Sequence, residues 1–496
     1  MSREQRRRRG ALAVLAGAVV AILAATTAPA TAAPQPTGGS HQQWLAHRLA
    51  NSVDPGTVLD TLRKLERYAV TGDGSREAGS EGFDRSLRLF TERLTRAGYR
   101  VSTQDVPYRA FAFDAETLVP AAGAPVRILM AHYSVSTPAG GLSAPLVPVD
   151  PSGTDPAVGC AAADYPAQVA GTVVLVRTGG CVSVDKAVAA TAAGARAIVM
   201  YDVTPTAPGS VLRRRATGAS IPMAFVSNAD ADALIDAAGG GALPVTLELR
   251  GREFDDVTVN LFAETTGGRA DSVVMAGAHL DSGHDGPGIN DNGSSAAALL
   301  ETALRLAPYQ GTVRNRVRFA FWGAEELVNL GSTYYVQTLP AQQLARIRLY
   351  LNYEMIASSN FVRFVMDGDD SDHPDVGLPA GPVGSGQVEA VVKQAYATLG
   401  LPVKTVDLGN VRSDNEPFMA VGVPMGGAHG GSRGVKTADE ARVFGGVAGQ
   451  FYDPCYHQPC DTVSSLHLGA LGQVTRAMAW TVGRFAITAD DVPGRS

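Results

Sequence analysis

Apolar residues recur at helical spacing where the folded part of the chain begins. Leu59, Leu62 and Leu65 are three residues apart, and Phe83–Leu94 repeats apolar positions three and four residues apart. Such residues lie on one face of an α-helix, so the spacing predicts two amphipathic helices. The run Tyr99–Val106 that follows is predicted to be a strand.

The pattern changes between about Val126 and Arg250, where short β-like runs alternate with Gly and Pro turns. An Ala-rich helix, Val184–Ala195, is predicted between the first two runs. This stretch has neither histidine pairs nor carboxylate clusters, so we interpret it as an inserted, non-catalytic domain. The predicted strands are Gly171–Arg177, Ala197–Tyr201 and Ile221–Val226.

From Val257 onward, predicted strands alternate with predicted helices. This order predicts an α/β fold with a mixed central sheet flanked by helices. Ligands bind such sheets beyond the carboxyl ends of the strands. The predicted strands are Asp271–Ala276, Val317–Trp322, Leu349–Ile356 and Val362–Met366, and the helices are Ser294–Leu306 and Gln387–Leu399.

Residues 1–33 have the three parts of a secretory signal peptide. Arg3 and Arg6–Arg9 form a basic start, Ala11–Leu23 is an apolar run, and Ala28–Ala33 offers small residues for cleavage. A membrane anchor is the alternative, but the run is short for a span of ~20 residues. We therefore predict a secreted, extracellular protein that leaves the membrane after cleavage; Sec or Tat export stays open.

Length and charge narrow the class of protein. A chain of 496 residues with 45% hydrophobic and 18% charged residues is expected to form two or three globular domains. Cleavage removes five Arg and one Glu, a net loss of four positive charges, so the formal charge of −6 becomes −10. An acidic chain without a Lys/Arg run argues against nucleic acid or anionic membranes as partners. We expect a monomer.

Four cysteines in an exported chain are expected to form two disulfides. Cys455 and Cys460 are five residues apart, so we pair them locally, which leaves Cys160 with Cys181. Free or metal-binding thiols are the alternative. The chain has no Cys-x-x-Cys motif, which disfavours a thiolate zinc site.

Imidazole and carboxylate groups follow the predicted strands. His279 and Asp281 share a face if the chain leaves the strand extended, because alternate residues point the same way. The adjacent acids Glu325 and Glu326 follow the next strand, where they would repel each other without a cation. A metal on Glu326 would leave Glu325 as a base for an attacking water, which indicates a metallohydrolase.

Each of these residues has a simpler explanation when it is taken alone. His279 could be a hydrogen-bonded core histidine, and Asp291 could belong to the N-cap region of a helix. The pair Glu325-Glu326 could be a solvated helix start stabilised by the helix dipole. His457 could lie in a surface loop that a disulfide holds. The combination favours a metal site.

Six segments together resemble the secreted co-catalytic di-zinc aminopeptidases of metallopeptidase family 28. The resemblance covers about Val257–Ile487, and the insert looks like a protease-associated (PA) domain. It implies the α/β/α sandwich of zinc exopeptidases with an inserted, mainly-β PA domain. The segments are Ala278-His-Leu-Asp-Ser282, Gly288-Ile-Asn-Asp-Asn-Gly-Ser294, Phe321-Trp-Gly-Ala-Glu-Glu326, Leu351-Asn-Tyr-Glu-Met-Ile356, Arg412-Ser-Asp-Asn-Glu-Pro-Phe418 and Tyr456-His457.

The resemblance implies an aminopeptidase that binds two Zn²⁺ per chain and cleaves peptides or proteins with a free N-terminus. Asp291 would bridge the two ions. His279 and Glu354 would complete one zinc site, and Glu326 and His457 the other. At Glu354 the family commonly carries Asp, which is one methylene shorter.

The resemblance implies roles for four further residues. Glu325 would act as general base and acid, and Tyr456 would donate a hydrogen bond to the oxyanion. Asp281 would orient His279, and Arg412 would lie in the substrate site. The expected domains are the signal peptide 1–33, the N-terminal part of the peptidase domain 40–125, the PA-like insert 126–253 and the catalytic domain 254–490.

Other functions stay open at this point. Gly430–Gly434 matches the Gly-x-Ser-x-Gly pattern of serine hydrolases, but we expect a loop there without a preceding strand or a following apolar helix. A glutaminyl cyclase, a carboxypeptidase of the same fold and a non-catalytic binding protein are alternatives. His284 and His429 lie in Gly-rich loops near the motifs. Lining the rim of the substrate site is one role for them, but we expect both to be solvent-exposed loop residues.

Overall fold

The computed structural model describes residues 39–202, 210–374 and 377–493. The predicted signal peptide lies outside these ranges. No helix in the described ranges combines the length and the apolar character that a bilayer span needs.

The first two predicted helices form because their apolar faces are buried and their first turns are capped. Asp54 accepts a hydrogen bond from the N–H of Gly56 at 2.9 Å, and Ser80 accepts one from the N–H of Phe83 at 3.0 Å. The apolar faces pack against the sheet, and Phe83 is only 1% exposed. The helices are α1 (Gly39–Ser52), α2 (Pro55–Thr71), α3 (Glu81–Arg96), α4 (Ser183–Ala192), α5 (Asn228–Ala238), α6 (Ser295–Leu306), α7 (Leu330–Thr338), α8 (Ala341–Leu344), α9 (Ser385–Thr398), α10 (Glu416–Ala420), α11 (Ala438–Phe444) and α12 (Leu468–Ile487).

A mixed sheet forms the centre of the larger domain. Its three middle strands run parallel, and apolar clusters cover both faces, with α2, α3, α6, α9 and α12 on one side and α7 and α10 on the other. The predicted α/β/α arrangement is therefore confirmed. In spatial order the strands are β12 (Lys404–Asp407), β11 (Phe364–Asp367), β13 (Met425–His429), β10 (Ile347–Glu354), β8 (Arg269–His279), β9 (Asn315–Trp322), β7 (Leu243–Glu264) and β1 (Arg100–Pro120).

The inserted domain continues the same sheet beyond β7. Its first four strands run parallel with both faces covered by apolar clusters, and α4 and α5 lie between strands along the chain. In spatial order its strands are β3 (Leu142–Pro148), β4 (Val173–Arg177), β5 (Ala197–Tyr201), β6 (Met223–Phe225) and β2 (Leu129–Met130).

One antiparallel ribbon, β1 with β7, belongs to both domains. The pairing runs from Arg100 opposite Glu264 to Pro120 opposite Val245. The strand predicted to end at Val106 therefore continues for fourteen residues more, and the expected boundary after residue 253 lies inside β7. Most of β1 is exposed or half-buried, so it lacks the regular apolar alternation that marks a strand in a sequence.

The loop Gly430–Gly434 follows β13 directly, so the expectation that no strand precedes it is wrong. The next helix, α11, begins only at Ala438. A nucleophile elbow needs a strand, a tight turn and a helix in immediate succession. The loop therefore lacks the geometry of a serine hydrolase.

Candidate metal centre

Three parallel neighbouring strands bring the candidate residues to one edge of the sheet. His279 is the last residue of β8, and Glu354 is the last residue of β10. His279 pairs in register with Trp322, the last residue of β9, and Glu325 follows three residues later. Their side chains meet because the carboxyl ends of parallel strands share one edge.

Asp281 sets the direction of the two adjacent acids. Its carboxylate accepts hydrogen bonds from the backbone N–H groups of Glu325 and Glu326, each at 3.2 Å. The preceding residue, Ala324, has a left-handed backbone with φ of 60°, a conformation that concentrates at functional sites. Asp281 also lies 3.5 Å from His279 Nδ1, so one carboxylate contacts three residues of the centre.

Asp291 lies between two histidines. Its Oδ1 is 3.3 Å from Nε2 of His279, and its Oδ2 is 3.1 Å from Nε2 of His457. The backbone N–H groups of Asn290 and Asp291 donate to the carboxylate of Asp461, which fixes the turn before α6. A carboxylate with one oxygen toward each imidazole has the arrangement of a bridging ligand.

One half of the centre is carried by the strands, and we call His279 and Glu354 the strand-borne half. Glu354 Oε1 is 3.3 Å from His279 Nε2, as close as Asp291 is. Glu325 Oε2 is farther, at 3.7 Å, which leaves Glu325 as the acid beside the group. Ser413 and Asn292 donate to Glu354 Oε2 at 2.6 and 3.1 Å.

The other half is carried by loops, and we call Glu326 and His457 the loop-borne half. His457 Nε2 is 3.0 Å from Glu326 Oε2. His457 lies in the ring closed by the disulfide Cys455–Cys460, and the ring of Tyr456 stacks on its imidazole at 3.8 Å. The second predicted disulfide, Cys160–Cys181, is also present and lies in the inserted domain.

Burial of many acids shifts the proton affinity of the centre. Burial raises the pKa of Glu325 well above its usual range, and the carboxylates of Glu354, Asp414 and Glu326 add to that effect. The pKa of Glu354 is raised by burial as well. Burial lowers the pKa of His279, but the carboxylates of Glu325 and Glu354 outweigh it, so that pKa rises well above the usual value. Glu325, Glu354 and His279 therefore hold protons tightly in the metal-free centre. Asp291 differs: burial raises its pKa, but the imidazoles of His279 and His457 outweigh burial and lower it.

The residues fit a divalent cation. Glu326 Oε1 is buried and has no hydrogen-bond partner among the described residues, although an unpaired buried carboxylate oxygen is costly. Ligand atoms of His279, Glu325 and Glu354 lie within 4.8 Å of one another, as do those of Asp291, Glu326 and His457. Imidazole nitrogen with carboxylate oxygen is a ligand set that zinc accepts.

Two charged residues that hold the site could not be identified from the sequence. Arg76 is buried and donates to the carbonyl groups of Leu280, Pro287 and Gly288, in the loop between His279 and Asp291. Asp461, described above, holds Asp291 from the other side. Arg76 belongs to no periodic pattern, so only its partners in space reveal its role.

Three other residues near the centre differ in burial. Arg412, predicted to contact substrate, is exposed, and it precedes Ser413. Neither His284 nor His429 is a solvent-exposed loop residue, so that expectation is wrong. Both are half-buried: His284 Nδ1 lies 2.8 Å from Glu77, and His429 ends β13 with its Nδ1 3.1 Å from the carbonyl oxygen of Glu354.

A further acidic group lies near the end of β11 and consists of Asp367, Asp369 and Glu389. Lys393 pairs with Glu389 at 2.5 Å and with Asp372 at 2.8 Å. Asp367 accepts hydrogen bonds from the backbone of Ser371 and Asp372. The charge of this group is thus partly compensated by the protein itself.

Comparison with known proteins places the chain in a family. The sequence profile of Peptidase family M28 matches residues 260–482, and that of the PA domain matches residues 142–234. An aminopeptidase of Pseudomonas aeruginosa is 36% identical over 457 residues, which cover 89% of this chain and 82% of that protein. Leucine aminopeptidase 2 of Trichophyton rubrum is 31% identical over 90% of this chain and 87% of that protein. The chain belongs to peptidase family M28.

Solved structures agree with the fold. The structure of a zinc aminopeptidase from Bacillus subtilis has a TM-score of 0.68 and 23% identity, and the match covers 89% of this chain and 99% of that one. The expected resemblance is therefore confirmed: this M28 member with a PA domain is a metallo-exopeptidase, and the activity its family and relatives support is that of an aminopeptidase.

Proposed function

We propose that this M28 member is a secreted aminopeptidase that binds two zinc ions and removes N-terminal residues from peptides. The observation that carries the proposal is Asp291, whose two oxygens lie 3.3 and 3.1 Å from His279 and His457. His279 and Glu354 would hold one ion and Glu326 and His457 the other, with Asp291 between them. The Pseudomonas and Trichophyton relatives, both aminopeptidases by name, support this choice.

Zinc at such paired sites polarises the scissile carbonyl group and lowers the pKa of a bound water. The protein would supply the proton transfers. Glu325 would accept a proton from the attacking water and deliver it to the leaving amine, since burial and neighbouring carboxylates raise its pKa. The backbone contacts of Glu325 with Asp281 hold it in place for both steps.

The remaining residues would position the substrate. The carboxylate of Glu354 would pair with the free α-amino group, which limits cleavage to the first residue of a peptide. The hydroxyl group of Tyr456 would donate to the developing oxyanion, and Arg412 would contact the peptide from the exposed rim. Export is supported by the predicted signal peptide and by two disulfides, which form in oxidising compartments.

A substrate panel tests the proposed activity. Zinc-loaded protein is offered aminoacyl anilides, free peptides and the same peptides with an acetylated N-terminus. We expect release of N-terminal residues from free substrates alone. Three results would contradict the proposal. Equal cleavage of the acetylated peptides would indicate an endopeptidase, and release of C-terminal residues would indicate a carboxypeptidase. Cyclisation of N-terminal Gln with one zinc per chain would indicate a glutaminyl cyclase.

A further inference from the structure

Among the described residues, the short segment Val211–Arg213 joins the inserted domain to loops that carry the candidate metal ligands. A separate ion pair, Asp202 with Arg433, joins the insert to the loop 430–434. The segment contacts two loops of the catalytic domain: the loop 280–288, which joins His279 to the turn of Asp291, and the disulfide ring that carries His457. Neither loop belongs to a regular element. Loops of this kind depend on tertiary contacts for their position.

Arg213 holds the first loop. Its side chain is only 4% exposed, and its guanidinium group donates two parallel hydrogen bonds to Asp285, each at 2.9 Å. It also pairs with Glu116 of the ribbon strand β1 and stacks on Phe113, 3.8 Å from the ring centre. A planar guanidinium fixed on three sides orients a carboxylate strictly, so the position of Asp285 is set by the insert and the ribbon.

Val211 holds the second loop. The side-chain amide of Gln458 donates to the carbonyl oxygen of Val211 at 2.8 Å and accepts from its N–H at 3.3 Å. Gln458 is 4% exposed and directly follows His457. The double hydrogen bond resembles one step of a β-ladder, and it ties the disulfide ring to the insert.

The two held loops also contact each other. Gly286 packs so closely that a Cβ atom there would lie 2.3 Å from the carbonyl oxygen of Gln458. One residue beyond the ring, Asp461 holds the backbone of Asp291. The contacts therefore form a continuous path from the insert through both loops to Asp291 and His457.

We propose that the segment Val211–Arg213 positions the metal site formed by Asp291, Glu326 and His457. The inserted domain is then a structural part of the catalytic centre and acts selectively on its loop-borne half. The strand-borne half has no such need, because His279 and Glu354 are fixed by the central sheet. This inference rests on the proposed function for the two zinc ions and for the ligands of each.

Zinc titration of the metal-free full chain, against a competing chelator, tests the proposal. In Arg213→Met, which keeps the apolar stem but loses the charge, we expect the dissociation constant of one zinc site to rise by about 10- to 100-fold, as when partners that orient metal ligands are removed. The other site should keep its affinity. Arg213→Lys, which can still attract Asp285, should lie between the two.

The matched control is Arg214→Met. Arg214 directly follows the segment and pairs with Asp202 of the inserted domain. Asp202 also pairs with Arg433 of the catalytic domain, but neither pair includes Asp285 or Gln458. Both zinc sites of this variant should match the parent chain. Equal losses of zinc affinity in Arg213→Met and Arg214→Met would overturn the proposal, because the effect would not be specific to Arg213. Unchanged zinc affinity in Arg213→Met would overturn it as well.

Two further variants identify the affected site and guard against misfolding. When Arg213→Met is added to a chain that carries His457→Ala, zinc affinity should change little, because the affected site is already lost. When it is added to a chain that carries His279→Ala, zinc affinity should fall by the full amount. A full loss in the first chain and none in the second would overturn the proposal. If Arg213→Met does not fold, Asp285→Asn removes the same contact from the catalytic side and should give the same selective loss. A parent chain without zinc affinity would contradict the proposed function instead.

Discussion

The two halves of the candidate metal centre have similar potential ligands but differ in what holds them. The strand-borne half stands on β8 and β10, and the side chain of His279 is 1% exposed. The loop-borne half stands on a short turn and a disulfide ring, and the side chain of His457 is 27% exposed. The sheet fixes one half, whereas a disulfide, Asp461 and the inserted domain fix the other. Rigid strands are the more precise support for ligands.

The two adjacent acids give the largest expected contrast between the halves. Glu325→Gln removes the proposed base but no ligand, so activity should fall by about 10²- to 10⁴-fold with zinc content unchanged. Glu326→Gln should instead lower the zinc content of the loop-borne half. Initial rates and metal analysis of both variants check this. Retained activity in Glu325→Gln would contradict the assigned base.

The two disulfides separate metal binding from stability. Replacing Cys455 and Cys460 by Ser should weaken zinc binding at the loop-borne half by about 10-fold or more, with a stability loss of about 2 kcal/mol for so short a loop. Replacing Cys160 and Cys181, which close a longer loop, should cost about 3 kcal/mol and leave zinc binding intact. Denaturant unfolding and zinc titration measure both quantities. An equal loss of zinc affinity in both variants would contradict the inference that only the Cys455–Cys460 disulfide supports the metal site.

Shortening one ligand tests the strand-borne half. Glu354 spans the distance between His279 and the hydroxyl group of Ser413, so Glu354→Asp should lose at least one of these contacts. We expect about 10-fold weaker zinc binding at this half and an unchanged loop-borne half. Zinc titration checks the result, and Ser413→Ala serves as a milder control. Tighter zinc binding in Glu354→Asp would show that the sheet already suits the shorter acid.

The smallest expected effect is a pH dependence of the metal-free chain. The pKa values of Glu325, Glu354 and His279 are raised, so the folded chain holds more protons than the unfolded chain. In the unfolded chain the pKa is about 4.3 for Glu and about 6.5 for His. From about pH 5 to 8 these three groups therefore lower the stability as pH rises, by about 1.4 kcal/mol per pH unit for each extra proton. The lowered pKa of Asp291 changes stability only below about pH 4. Unfolding midpoints of the chelated chain measure this. A flat or rising profile would contradict it.

Much of this arrangement could be predicted from the sequence. The predicted strands and helices after residue 257 are present, with ends shifted by a few residues, because buried parallel strands are continuous apolar runs. Arg76 and Arg213 could not be predicted, since each acts through partners far away in the chain. The length of the ribbon β1–β7 could not be predicted either, because its middle part is mostly exposed or half-buried and is held by the pairing of the two strands.

In the proposed function, Asp291 joins two zinc ions. The most direct measurement is a crystal structure of the zinc-loaded chain with anomalous scattering at the zinc edge. We expect two peaks about 3.5–4 Å apart, with one oxygen of Asp291 bound to each. A single peak, or two peaks with Asp291 bound to only one of them, would contradict it.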